Sequence, residues 1–231
     1  MRYRELLYTT EGLGEHVSGV ILYDETIRQS ARDGTTLVQL IRNAGAIPGI
    51  KVDTGAKALA GAEGETVTEG LDGLRDRLAD YYELGARFAK WRAVINIGQN
   101  GDDSVPSQYC INVNMHALAR YAALCQEANI VPIVEPEVIM DGNHSIERCY
   151  EVTEFALKTL YRELFDQGVV LGAFVALPAM AGLAVLAEPL VSVLFQRGAF
   201  DAESAARTGR VVLLLSPAVV ASCVAPVVTR A

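Results

Sequence analysis

The sequence is short of the features that mark several common protein classes. Its four cysteines, Cys110, Cys125, Cys149 and Cys223, stand far apart with no C-x-x-C pair, which indicates a reducing compartment and no structural zinc. Its three histidines, His16, His116 and His144, fall in a polar turn, a helix and a loop, and read as surface or satisfied polar groups, not metal ligands. No signal-peptide apolar core opens the chain. Twenty Lys and Arg face 28 Asp and Glu, a formal charge of −8, and the basic residues are scattered. That distribution excludes the basic stripe of a nucleic-acid binder. No lysine follows Lys158.

What is present is a chain of 231 residues, long enough for a substantial core in one large or two small domains. It is short for a complete (β/α)₈ barrel, which takes about 250 residues. Up to about residue 168, β-rich runs alternate with amphipathic stretches, the pattern of a parallel α/β domain. "VSGVILYDET" (17–26) reads as a strand, "TLVQLIRNAG" (36–45) as a helix closed by glycine, and "AIPGIKVD" (46–53) as the next strand. In "GLDGLRDRLADYYELG" (70–85), Leu71, Leu74 and Leu78 share a helical face and Gly85 is the C-cap. "RFAKWRAVINI" (87–97) is a strand. A polar insert (98–108) leads to the helix "NMHALARYAALCQEA", striped by Leu118, Tyr121 and Leu124. "IVPIVEPEV" (130–138) is the next strand. The helix over 145–168 carries Val152, Ala156, Leu160 and Leu164 at helical spacing and is predicted to end at Gly168.

From Val169 the character changes. Nineteen uncharged residues (169–187), an amphipathic loop-like stretch (188–210) and nineteen more uncharged residues (211–229) follow, each uncharged run long enough to span a bilayer. Both runs contain proline and small residues, which membrane helices tolerate.

Three strands repeat one pattern. Alternation puts Lys51 and Asp53 of "IKVD" on one face, Lys90 and Arg92 of "AKWR" on one face, and Glu135 and Glu137 of "VEPE" on one face, each pair near a strand's C-terminal end. In a closed parallel barrel those ends form the pocket. Cations there can hold phosphate and polarise a carbonyl, and a carboxylate beside them can relay protons. One such pair alone reads as a buried salt bridge, which stabilises poorly; three in register point to function. The Gly-rich stretch 61–73 lacks a phosphate-loop pattern and reads as a barrel loop. Trp91 reads as packing between barrel and helix, and "DGNH" (141–144) as a turn.

The strings "GIKVDTG", "GLDGL", "ARFAKWRAV", "LARYAALCQE" and "NIVPIVEPEVIMDGNHSIERCYEVTE", in this order, resemble the class I, Schiff-base fructose-bisphosphate aldolases over residues 3–171. The resemblance implies a TIM (β/α)₈ barrel, a phosphorylated-sugar substrate (fructose 1,6-bisphosphate), a cytoplasmic location, homo-oligomers, and no metal or other cofactor. It implies Glu135 as the proton-transfer carboxylate and Lys90 as the lysine contacting phosphate and carbinolamine. Glu137 is then the neighbouring carboxylate, with Lys51, Arg92 and Asp53 binding substrate.

The chain departs from that family in one decisive place. The family's Schiff-base lysine follows the segment matching "GVVLG"; with Pro178 as anchor, Leu177 stands there. The family's first strand and its last two are also expected to be missing, leaving strands 2–5 and the start of strand 6. Residues 176–230, with "LFQRGAFDAES" the most specific string, resemble part of the bacterial lipid II flippases. The expected organisation is an incomplete barrel over 1–171 and an apolar tail over 172–231 with two membrane-type helices. Three functional readings follow: an aldolase-type lyase inactive for want of its lysine, a non-catalytic sugar-phosphate binder with membrane contact through 169–229, and a fusion of two unrelated coding segments.

Overall fold

The computed structural model describes residues 2–99, 102–197 and 200–230. Asn100 and Gly101 of the polar insert, and Gly198 and Ala199 of the tail's connecting stretch, lie outside the described residues. The chain divides into two compact units, Met1–Leu160 and Tyr161–Ala231.

In the first unit the elements run α1 (Arg2–Tyr8), α2 (Leu13–His16), β1 (Gly19–Leu22), α3 (Asp24–Ile27), α4 (Leu37–Asn43), β2 (Ile47–Lys51), β3 (Gly55–Ala58), β4 (Thr66–Glu69), α5 (Leu74–Leu84), β5 (Phe88–Ile95), α6 (Gln108–Glu127), β6 (Val131–Val138) and the start of α7 (Ile146–Phe195). Strands β1, β2, β5 and β6 pair in that order, all parallel. This is the βα succession expected from the alternating pattern.

Strand β5 shows why the sheet has two faces. Ala89, Trp91, Ala93 and Ile95 are buried, while Phe88, Lys90, Arg92 and Val94 are half-exposed. Leu22, Ile50 and Val52 continue the buried face, which packs on α4 and α6. There the Trp91 ring lies 5.5 Å from that of Tyr121 on α6, the packing role its alternation indicates. Helix ends follow local chemistry: Thr36 caps α4 and Ser107 caps α6 through their side-chain oxygens. Gly85 ends α5 at φ 109°, and a Cβ there would come within 2.8 Å of the Val38 side chain.

Two readings of this unit need correction. The Gly-rich stretch is more than a loop, because β4 pairs antiparallel with β3 as a separate hairpin. The β-branched Thr66-Val67-Thr68 suits a strand, and the glycines on either side obscure it. His16 lies in a short helix instead of a turn.

The second unit is helical. The expected end at Gly168 and the expected start of a further strand at Val169–Leu171 do not occur: α7 continues through both to Phe195, past Pro178 and Pro189. A strand forms only beside another strand, whereas a helix satisfies its own backbone, which suits an uncharged run. The stretch 188–210 is likewise mostly helix, since α8 (Ala202–Leu215) begins at the N-cap Asp201, whose carboxylate accepts from Ser204 N–H at 2.9 Å. Helix α9 (Pro217–Arg230) starts with proline, a residue suited to a first turn. Ile146–Phe195 and Ala202–Cys223 are long and apolar enough to cross a bilayer, and little of either apolar stretch is buried.

Candidate active site

The half-exposed face of the four-stranded sheet gathers all six candidate residues. Parallel register sets Lys51 opposite Lys90, and Arg92 opposite Glu135, with Val94 opposite Glu137. Adjacent strands lie about 4.8 Å apart, so cations placed this way would repel unless each found an anion. Each does. Lys51 pairs with Asp53, Lys90 Nζ lies 2.7 Å from Glu135 Oε2, and the Arg92 Nε–H donates to Glu137. The Lys90–Glu135 contact is an ion pair outside hydrogen-bond geometry, since Glu135 Oε2 has no hydrogen-bond partner of its own. The hydrogen bond from Arg92 to Glu137 holds the guanidinium pKa above its ordinary value, and the charges of Glu137, Glu135 and Asp53 act the same way against partial desolvation.

The six side chains differ in what they leave free. Asp53 is 2% exposed and spends its oxygens on the protein: one accepts from Lys51 and from Gly55 N–H at 3.1 Å, the other from Arg92 N–H at 3.4 Å. It therefore ties the end of β2 to β5. Lys51, Lys90, Arg92, Glu135 and Glu137 remain partly open to solvent. Arg77 on α5 donates to the carbonyls of Val52 and Gly70 and so holds the β2 end from outside the sheet.

One neighbour was missed. The Tyr23 ring lies 5.8 Å from Lys51 Nζ, a cation–π distance, and is exposed. The signal was available: extending the period-2 argument past β1 puts Gly19, Ile21 and Tyr23 on the face that carries Lys51 and Lys90.

Four neighbouring parallel strands, helices against one face, and on the other a charge cluster running from the end of β2 across the middle of β5, short of the C-terminal end its alternation indicated, to the C-terminal half of β6 define part of a TIM-type barrel. Comparison with known proteins names the family. Residues 1–186 match the family model for class-I fructose-bisphosphate aldolase, and residues 155–231 match that for the lipid II flippase MurJ. A probable class 1 fructose-bisphosphate aldolase of Xanthomonas campestris is 63% identical over 169 residues, 73% of this chain and 49% of that protein. The cytosolic fructose-bisphosphate aldolase 6 of Arabidopsis thaliana is 53% identical over 177 residues, 77% of this chain and 48% of that one. A fructose-bisphosphate aldolase structure from Plasmodium falciparum superposes with a TM-score of 0.68 at 45% identity, covering 71% of this chain and 46% of the other. The chain belongs to the class I fructose-bisphosphate aldolase family, and its tail is similar to part of the lipid II flippases. It spans about half the length of the curated relatives it matches.

Proposed function

We propose that this chain retains the phosphorylated-sugar-binding face of a class I aldolase and does not by itself cleave a carbon–carbon bond. The observation carrying the first half is the set of three cation–carboxylate pairs that β2, β5 and β6 bring together on one sheet face. A phosphate group competes with the carboxylates for Lys51, Lys90 and Arg92, and the planar fork of Arg92 matches two phosphate oxygens. Glu135, once parted from Lys90, is free to accept or return a proton. Glu137 aims Arg92. Asp53, buried and fully engaged, positions Lys51 and the β5 backbone and does not touch substrate.

Cleavage needs an amine that attacks the ketose carbonyl, loses water as the iminium forms, and then takes up the electron pair of the breaking bond. The family's amine belongs on the strand after "VEPE". Here that stretch is α7, it contains no lysine beyond Lys158, and Leu177 stands at the Pro178-anchored position. An alkyl side chain supplies no electron sink.

Two measurements test the two halves. Incubation with dihydroxyacetone phosphate and borohydride, followed by intact-mass spectrometry, is expected to give no adduct; a stoichiometric adduct on Lys51 or Lys90 would overturn the inactivity. Calorimetric titration with fructose 1,6-bisphosphate is expected to show saturable binding that Lys90→Met weakens roughly tenfold. Heat indistinguishable from dilution would sink the binding half.

A second reading adds location. The exposed apolar helices support membrane contact through 169–229, with the aldolase-type unit facing the cytoplasm. Two prolines inside α7 would each cost about 3 kcal/mol in a helix in water, and membrane helices tolerate them better. Retention in the pellet after carbonate washing, with release by detergent, is the expected outcome; a folded soluble species would defeat it. The overlap of the two family matches over 155–186 also supports an origin by joining unrelated coding segments. Resequencing across the codons for 165–185 tests that origin.

A further inference from the structure

We propose that two copies of this chain close one eight-stranded barrel, each copy supplying four staves and half of the charged cavity. This rests on the fold and does not depend on sugar-phosphate binding.

The sheet order β1-β2-β5-β6, all parallel, is half of an eight-stranded barrel. Among the described residues, β1 and β6 each pair on one side only. Ile47 N–H donates to the Ser18 carbonyl at 2.9 Å, so alternation turns the backbone groups of Gly19 and Ile21 away from β2. On the opposite edge, Val131 N–H donates to Arg87 and Ile139 N–H to Ile95, at 3.0 and 2.9 Å, which turns the backbone groups of Pro132, Val134, Pro136 and Val138 outward. The two prolines have no N–H, so this edge offers carbonyls freely but donors only at Val134 and Val138. Such an edge resists indiscriminate strand addition, yet it accepts from the proline-free β1 edge. A two-fold axis along the barrel sets β6 of each copy beside β1 of the other, and the sheet closes with no edge left.

The side chains require the same cover. The register that aligns the charged residues also puts Ile21, Ile47, Phe88, Val131 and Ile133 on their face, toward and beside its N-terminal half. Ile21 is 41% exposed, Ile47 49%, Val131 65% and Ile133 40%. The Phe88 ring packs against Gly19 and Gly49, where a Cβ would meet it at 2.8 and 2.3 Å. Branched aliphatic side chains on this face are what fills a closed barrel's interior, and in a half-barrel they face water. A second copy brings the matching set from across the axis. It adds no net charge, because Lys51, Lys90 and Arg92 enter with Asp53, Glu135 and Glu137.

The test uses the whole chain, purified in mild detergent and followed by light scattering and native mass spectrometry over a range of concentrations. A dimer is expected. Ile133→Lys, which replaces an apolar side chain of this face with a third ammonium in register with Lys51 and Lys90, should weaken it roughly a hundredfold, whereas Tyr109→Lys, on the exposed side of α6, should leave it unchanged. Because Ile133→Lys can also fail to fold, a second measurement joins the edges directly. In a Cys149→Ala, Cys223→Ala background, Ile21→Cys chains mixed with Ile133→Cys chains should oxidise to a mixed disulfide faster than either chain alone. A monomer at every concentration, a dimer indifferent to Ile133→Lys, as self-association of the tail would give, or equal cross-linking of the unmixed chains would overturn the proposal.

Discussion

The two units of this chain hide their apolar surface in opposite ways. In the first, alternation along β5 sends Ala89, Trp91, Ala93 and Ile95 inward and their neighbours outward, and caps mark where helices begin, as Thr36 and Ser107 do, and where they stop, as Gly85 does. In the second, apolar residues occur all round the helix: Phe174, Val175, Leu177, Val185 and Val193 are all exposed, and α7 passes two prolines without ending. Amphipathic patterning assembles a core in water, whereas uniform apolarity leaves covering the helix to its surroundings. The difference teaches that one continuous helix can pass from an amphipathic to a uniformly apolar pattern, and that glycine, which ends α5 at Gly85 in the first unit, is no stop at Gly168 in the second.

The comparison breaks most visibly at the core of the first unit. Trp91→Ala is expected to cost about 3–5 kcal/mol, read as an early denaturation midpoint and loss of near-ultraviolet dichroism, with the far-ultraviolet helical signal of the tail retained. Loss of both signals together would mean that the units are not separate. Next in size, Leu177→Lys places a charge in the tail's first apolar run and should disfavour insertion by about 2.5–3.5 kcal/mol, read as release on carbonate washing. It should also gain no borohydride-trapped adduct, because the residue sits on a helix and not on a barrel strand. In a chain that never meets a membrane the same change would be nearly silent.

A smaller effect probes how the hairpin and α6 are joined. Ser107 caps α6 by accepting from Cys110 N–H at 3.1 Å, and its N–H and hydroxyl both donate to the buried Glu65 at 2.6 Å. Ser107→Ala is expected to lower stability by about 1–2 kcal/mol, measured by denaturant titration, while Ser204→Ala in the tail should be within experimental error.

The smallest effect at neutral pH is alkaline. Burial pushes the thiol of Cys110 up to about 11, helped by the charge of Glu65, and that of Cys125 up to about 12. In the unfolded chain both ionise near 9. Between these values the unfolded state holds fewer protons than the folded one, so stability falls as pH rises from about 9 and is flat for these groups below it. The midpoint followed from pH 8 to 11 should fall, and the double variant Cys110→Ala, Cys125→Ala should flatten the slope.

Much of the first unit was legible because its signals are local. Two-residue alternation named the face of Lys51, Lys90, Arg92, Glu135 and Glu137, and helical spacing with a terminal glycine named α5. The hairpin β3–β4 was not legible, since four-residue strands leave too short a pattern among glycines, and antiparallel pairing is a relation between segments. Asp53 could be assigned a face but not a burial state. Its nearly complete enclosure depends on Gly55 and on β5, 39 residues further along the chain.

By itself, the sequence determined the faces of the strands, the Gly85 cap and the apolar tail, because each follows from side-chain type and spacing along one segment. Only the tertiary structure decided which carboxylate holds which cation, that Tyr23 joins Lys51, and that α7 continues where a strand would have begun. Those outcomes depend on the distance between segments: ion pairs weaken with separation and strands exist only beside strands, whereas a helix needs no partner to bond its own backbone.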